Sequence, residues 1–286
     1  MTNPVTANKM LDALIPKNID LFLSEDIGSG DITATIIPET AQAYAEVITR
    51  EIMVMCGQAW FNAVFAQLNS NMVINWLVAE GDFVTENTLL CTVQGQARAL
   101  LTGERTALNL VQLLSATATV AKQYADVVAG TGCKVLDTRK TIPGLRDAQK
   151  YAVACGGAYN HRIGLYDGVL IKENHIMAAG SITKAIQVAR QLTSVPVEVE
   201  VETMTELTEA LAAKPDRIML DNFSLEDLRT AVALTGGKVE LEASGNISIE
   251  TIKAVAETGV DYISIGALTK HVKAVDLSMR VKVLPE

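Results

Sequence analysis

The chain has 286 residues, 49% hydrophobic and 20% charged, the composition of an ordinary globular protein with room for one large domain or two smaller ones. Its net charge of -9 and pI near 5.0 exclude nucleic acid and anionic membrane as main partners, since both need clustered positive charge. The cysteines Cys56, Cys91, Cys133 and Cys155 show no CxxC pairing, and His161, His175 and His271 are too few for a His-rich metal site. Reduced, mostly buried thiols are expected, not disulfides or zinc.

The opening MTNPVTANKMLDALIPKN is mixed rather than basic then apolar, and no run reaches the length of a membrane span, so a cytoplasmic protein is expected. From Ala7 to Leu23 the apolar positions Met10, Leu11, Leu14, Ile19, Leu21 and Leu23, interrupted by Pro16, predict one or two short helices. SEDIGSGDITA, with Glu25, Asp26, Gly28, Gly30 and Asp31, has the look of an acidic metal loop but not the spacing of a calcium loop, and is read as a turn-rich connection. Short strands then dominate from Ala43 to Gln96 (AYAEVITR, VINWLVAE, GDFV, TLLCTVQG), with a helix near Ala59 to Leu68. VAEGDFVTENTLLCTVQG has the cadence of a biotinyl or lipoyl hairpin but lacks the Lys at its tip, so its role is structural. The Ala/Leu-rich, Pro-free stretch from Ala97 to Ala129, which carries Glu104 and Arg105, predicts one long helix or two end to end.

Beyond it the rhythm becomes strand, loop, helix. Strand-like runs end near Thr138, Ile171, Val201, Leu220, Ala243 and Ile265, separated by helical segments such as SITKAIQVARQL and SLEDLRTAVAL. Intervals of about twenty to thirty residues are those of successive β/α units. Six strands where a closed barrel has eight imply an open one. The predicted fold is α/β, with an N-terminal α+β sandwich-like domain over 1–112 and an incomplete α/β barrel over 113–274, and with the final strand, 275–286, rejoining the first domain.

Between Asp137 and Ile176 this acidic chain gathers Arg139, Lys140, Arg146, Lys150, Arg162 and Lys172, with His161 and His175, against Asp137, Asp147, Asp167 and Glu173. A positive island interleaved with Gly and strand residues suggests a pocket for a small polyanion. Arg146 and Lys150, four apart after Pro143-Gly144, fit a solvated helix face equally well. Arg139 with Lys140, and Lys172, directly follow strands, where α/β folds bind ligands. Other strand ends offer Glu200, Asp221, Ser244 with Gly245, and Gly266 with Ala267. Glu198, Glu200 and Glu202 alternate, so they point to one side of the sheet and need a cation, a metal or water. Carboxylates without His or Cys favour magnesium. The loops ASGNIS and IGALT place a Gly ahead of a helix, as a phosphate cradle does.

EDIGSGDITA, GERTALN, DTRKTIPGLRDAQKYAV, GGAYNHRIGLYDGVLIKENH, EVEVE, IMLDNF, EASGNI and YISIGALT, in that order, resemble the quinolinate phosphoribosyltransferase family, also called carboxylating nicotinate-nucleotide pyrophosphorylases, over nearly the whole chain. The resemblance implies that quinolinate and 5-phosphoribosyl-1-pyrophosphate, with magnesium, give nicotinate mononucleotide, pyrophosphate and carbon dioxide in de novo NAD biosynthesis. It implies that Arg105, Arg139, Arg162 and Lys172, with Thr138 and His161 beside them, hold quinolinate. It further implies Lys140, Glu200 and Asp221 as catalytic, the two carboxylates at the metal, and Ser244, Gly245, Asn246, Gly266 and Ala267 near the phosphates. Asn246 stands where some relatives have a second Gly. Finally, it implies a homodimer in which the N-terminal domain caps the partner's barrel, so that Arg105 acts in trans. A Schiff-base lyase with its Lys at a strand end, and a non-catalytic relative binding another anion, are the alternative readings of the same residues.

Overall fold

The computed structural model describes residues 4–285, with side chains from Ala13 onwards; Met10 and Leu11 of the expected first helix lie outside the described side chains. The first helix, α1 (Pro4–Ile27), runs unbroken through Pro16. A proline inside a helix costs about 3 kcal/mol. Here Ile15, Ile19 and Leu23, four apart on one face, are buried in the core and offset that cost.

The SEDIGSGDITA stretch ends in a short 3-10 turn, where Asp31 Oδ1 accepts the Ala34 N–H and Oδ2 the Thr102 hydroxyl. These bonds hold the Asp31 carboxyl below its ordinary pKa. Next come β1 (Gln42–Thr49), β2 (Met53–Val54), α2 (Gln58–Leu68), β3 (Val73–Trp76), β4 (Phe83–Val84), β5 (Leu89–Gln96) and α3 (Ala97–Val127). The expected helix to Ala129 is thus a single element two residues shorter, and the 112–113 boundary falls inside it. The second half contains β6 (Lys134–Leu136), α4 (Arg146–Cys155), β7 (Val169–Ile171), α5 (Glu173–Ala179), α6 (Ile182–Leu192), β8 (Val197–Val201), α7 (Met204–Ala213), β9 (Arg217–Asp221), α8 (Leu225–Thr235), β10 (Glu240–Ser244), α9 (Ile252–Ala256), β11 (Tyr262–Ser264), α10 (Ala267–Lys270) and β12 (Leu277–Val283).

The chain divides into two compact units. One takes the chain up to Ala121, Pro143–Gly157 and the stretch from His271 on; the other takes Lys122–Ile142 and Ala158–Lys270. In the first, an antiparallel sheet has the order β12-β1-β5-β3, and β12 pairs along the whole of β1 from Ala43↔Val283 to Thr49↔Leu277. Ala43, Ala45, Val47 and Thr49 alternate inward on β1, as a sheet with one covered face requires. Trp60, Phe61 and Phe65 of α2 and Leu100, Leu108 and Leu114 of α3 fill the core behind it. Gly103 lets α3 approach α2: a Cβ there would lie 2.8 Å from both Phe65 and Leu68.

The second unit is a six-stranded parallel sheet of order β6-β11-β10-β9-β8-β7. Side-chain caps start its helices where the sequence places them: Ser181 for α6, Thr203 with Glu206 for α7 and Ser224 for α8. The sheet is not closed, because β6 and β7 are its two edges. The open barrel expected from six strands is therefore what the chain builds.

Candidate active site

The parallel strand ends surround a cavity of about 520 Å³ whose lining belongs entirely to the second unit. From β6 come Thr138, Arg139 and Lys140; from β7, Leu170 and Lys172; from β8, Glu200; from β9, Met219 and Asp221; from β10, Glu242 and Ser244; from β11, Ser264. His161 and Arg162 arrive on the connection between β6 and β7.

That connection bridges the opening of the barrel. Tyr159 pairs in parallel with Leu136 of β6, its N–H donating to Val135 at 2.8 Å and its carbonyl accepting from Asp137 at 3.0 Å. Asp137, fully buried, accepts the His161 N–H at 2.9 Å and the Asn160 side chain at 2.7 Å. From the residue after His161, Arg162 Nη1 donates to the Gly168 carbonyl at 3.0 Å, just ahead of β7. Asp167 then closes the turn by accepting the N–H groups of Ile163 and Gly164. The segment that replaces the missing strands thus also delivers two of the pocket's side chains.

One of these cations leaves a buried donor unmet. Arg139 Nε is buried and has no hydrogen-bond partner among the described residues. Burial, and then the charge of Arg139, push the Arg162 guanidinium below its ordinary pKa. Lys172 contacts Glu200, and its backbone N–H is fixed by His175 Nδ1 at 3.0 Å. Lys140 is exposed, and its backbone is held by Thr138 Oγ1 at 3.1 Å and Thr269 Oγ1 at 2.8 Å. Two half-buried guanidinium groups side by side, one with an unmet donor, form a receptor for carboxylates.

An acidic pair underlies the cavity and reaches its lining through Glu242. Glu198 and Glu242 are buried beside Arg217, whose Nη1 reaches Glu242 Oε2 at 3.1 Å and whose guanidinium stacks on Tyr262 at 4.0 Å. Burial, followed by the neighbouring Glu198 charge, pushes the Glu242 carboxyl up to about 8. Burial also raises Glu198. His161 Nε2 lies 2.9 Å from Glu198 Oε2 and 3.5 Å from Glu242 Oε2, while its Nδ1 accepts the Arg162 N–H at 2.8 Å.

At the far rim, Gly245 has φ +102°, and a Cβ there would fall 2.2 Å from Asn222 Oδ1. Only glycine fits. Asn222 also donates to Asp221 Oδ2 at 2.7 Å and faces Asn246 Nδ2 at 3.4 Å, so a run of amides shapes this loop. Gly266, just before Ala267 opens α10, brings backbone against Lys140: a Cβ there would meet Lys140 Cδ at 3.0 Å.

Thr138, Arg139, Lys140, His161, Arg162, Lys172, Glu200, Asp221 and Ser244 come together around one cavity. Arg105 belongs to the first unit, where it is exposed on α3. Arg146 and Lys150 also belong to the first unit; Lys150 is 3% exposed, so the solvated face allowed for this pair is wrong at Lys150. The VEVEVE carboxylates separate: Glu198 is buried by His161, Glu200 meets Lys172, and Glu202 stands in solvent past the strand end. Glu242 and Ser264 were not anticipated as lining residues. The ELEAS alternation on β10 was the available signal for Glu242, for it repeats the polar period of β8.

The chain matches the model of the quinolinate phosphoribosyl transferase N-terminal domain over residues 31–115 and that of the C-terminal domain over residues 117–280. It is 42% identical over 269 residues, covering 93% of each chain, to a Bacillus subtilis (strain 168) protein named probable nicotinate-nucleotide pyrophosphorylase (carboxylating). A solved structure of the nicotinate-nucleotide pyrophosphorylase from Francisella tularensis superposes with a TM-score of 0.92 at 50% identity, covering 94% of this chain and 96% of that one. The crystal structure of NadC from Streptococcus pyogenes gives 0.89 at 38% identity, covering 100% and 99%.

Proposed function

The chain belongs to the quinolinate phosphoribosyltransferase family, pentosyltransferases of NAD biosynthesis, and from that premise we propose how its cavity transfers a phosphoribosyl group from 5-phosphoribosyl-1-pyrophosphate to quinolinate with loss of carbon dioxide. The carrying observation is the buried Nε of Arg139, without a hydrogen-bond partner among the described residues, beside Arg162. Quinolinate has two adjacent carboxylates. Arg139, Arg162 and Lys172 supply enough donors for both, whereas a monocarboxylate leaves a buried cation unmet. Thr138 Oγ1 already accepts the Lys140 N–H, so its hydroxyl hydrogen remains for the substrate.

Lys140 faces the departing pyrophosphate, and the loops at Ser244–Asn246 and Gly266–Ala267 present backbone N–H groups to the phosphates. Glu200 and Asp221 stabilise the positive charge that develops at the ribose C1 and hold the ribose hydroxyls. They are oxygen donors on neighbouring strands lining one cavity, a set that fits magnesium. Bound there, the ion would neutralise the leaving pyrophosphate. After the ring nitrogen is ribosylated it is cationic, and the electron pair left when the adjacent carboxylate departs as carbon dioxide is stabilised by that nitrogen until the carbon takes a proton.

The active form is a two-fold homodimer, with Arg105 completing the partner's cation set; its exposure on α3 supports an intermolecular role. The four free cysteines suit a reducing compartment, the cytoplasm. Among the described residues no helix is long and apolar enough to cross a membrane. The direct test is release of carbon dioxide from carboxyl-labelled quinolinate, dependent on both donor and magnesium; release without donor overturns the proposal. For the dimer, Arg105→Ala and Lys140→Ala proteins are mixed under subunit exchange. One site in each mixed dimer then carries neither change, so activity recovers towards about a quarter of wild type. Demonstrated exchange without recovery overturns the role in trans.

A further inference from the structure

Two buried glutamates, Glu242 in the cavity lining and Glu198 outside it, are given no task by the mechanism above. Glu198 is 6% exposed and Glu242 fully buried; β8 and β10, which carry them, are separated in the sheet by β9. Arg217 on β9 is shared: it has Glu242 and Glu240 as salt-bridge partners, stacks on Tyr262 and feels the charge of Glu198, so Glu198 is one of several groups around it. Burying a second carboxylate is costly unless something uses its oxygens. Besides the charge of Arg217, Glu198 faces His161 Nε2, at 2.9 Å.

His161 sits midway along the segment that bridges the open side of the barrel. Its Nδ1 accepts the N–H of Arg162, so that nitrogen carries no proton and the ring proton is on Nε2, which lies 2.9 Å from Glu198 Oε2 and 3.5 Å from Glu242 Oε2 in a close polar contact that is not aligned as a hydrogen bond. The segment is then held at three places: at β6 through Tyr159 and Asp137, at β7 through Arg162 Nη1 and Gly168, and from the barrel interior through His161. Remove the interior hold and Arg162 keeps its charge but loses its fixed backbone.

We propose that Glu198, assisted by Glu242, is a positioning residue for the acceptor: by holding His161 in one tautomer and orientation from inside the barrel, it fixes the backbone from which Arg162 reaches the pyridine dicarboxylate. This rests on the assignment of Arg162 to the acceptor made above. Glu198 does not line the cavity. Its effect is on where Arg162 stands, so it falls on the acceptor and spares the donor.

The test is steady-state kinetics with each substrate varied. Glu198→Met keeps length and volume but removes the oxygen facing His161; the KM for quinolinate should rise at least tenfold while that for the phosphoribosyl donor stays within twofold. Glu198→Gln retains an acceptor oxygen and should return the quinolinate KM to within about threefold of wild type. Adding Glu198→Met to His161→Met should cost nothing further, because the residues act in series. Equal rises for both substrates, a Gln variant as impaired as the Met variant, or additive losses each overturn the proposal. Arg162→Ala run alongside separates it from the reading beneath it. If that variant raises the quinolinate KM and Glu198→Met does not, only the positioning role fails; if neither does, the acceptor assignment fails with it. Should Glu198→Met not fold, the wild-type protein still decides: nitrogen-15 spectra of its three histidines should show His161 neutral and protonated on Nε2, and a proton on Nδ1 overturns the proposal.

Discussion

Arg139→Ala is the sharpest probe of the acceptor pocket, because the structure separates its effect on binding from its effect on folding. Arg139 Nε makes no hydrogen bond within the described protein, so truncation there removes no internal partner of that atom. The charge of Arg139 also disfavours the neighbouring Arg162 guanidinium, so removing it relieves a repulsion. The free protein should therefore keep its unfolding midpoint or gain slightly. Binding should behave oppositely. A hydrogen bond to a charged group contributes about 1.5 to 3 kcal/mol. At about 1.4 kcal/mol per factor of ten, quinolinate should bind roughly 10- to 150-fold more weakly. Nicotinate, with one carboxylate, should lose less, so selectivity for the dicarboxylate narrows. Calorimetric titration with both ligands, together with urea unfolding, reads all three quantities. A variant that binds quinolinate like wild type, or one clearly less stable, refutes the view that Arg139 is held ready for the substrate.

Glu200→Gln and Asp221→Asn should each abolish most turnover, and the double variant should lose far less than the two losses combined, since both carboxylates serve one centre; multiplicative losses in single-turnover assays would contradict this. Glu242→Gln should change the pH dependence of stability. In the folded protein the Glu242 carboxyl is pushed up to about 8, first by burial and then by Glu198, whereas in the unfolded chain it titrates near about 4.3. Between those values the folded state binds the extra proton, so the stability contribution is complete below the lower value and is lost as pH rises through the upper one. The Gln variant should accordingly gain on wild type in urea unfolding from pH 5 to 8.5, and parallel curves would contradict the assignment. Burial pushes the thiols of Cys91 and Cys133 up to about 12 and raises that of Cys56 well above its ordinary value, while Cys155 is partly exposed. An aromatic disulfide reagent at pH 8 should thus titrate at most one thiol in the native protein and four after unfolding; rapid reaction of three or four without denaturant would count against the buried core.

The strand ends were legible in sequence because a parallel strand announces itself: an apolar run, then a charged or small residue, then a capped helix. Arg139, Lys172, Glu200 and Asp221 were all found this way. Lys150 was not, because Arg146 and Lys150 are spaced as on any solvated helix, and only the tertiary structure shows Lys150 inside the first unit. Glu242 was missed for a different reason. Its alternation was visible, but nothing local says that a carboxylate on β10 will meet a histidine eighty-one positions earlier in the chain. Pro16 shows the limit of propensity: a local rule against helix interiors yields to three buried aliphatic side chains on one face.

The pairing of β12 with β1 also bears on how the protein is made. Thr49 pairs with Leu277, so 228 residues must follow β1 from the ribosome before its second edge is covered. At about 5 to 20 residues per second, that edge waits roughly ten seconds to most of a minute. During this interval Gln42–Thr49 is a nascent strand with alternating apolar side chains and one row of unmatched amides, the template on which chains cross-pair. Charged Glu46 on its outer face is the local guard against that pairing. Yield during expression, rather than stability once folded, is therefore where changes in the last ten residues should be felt first.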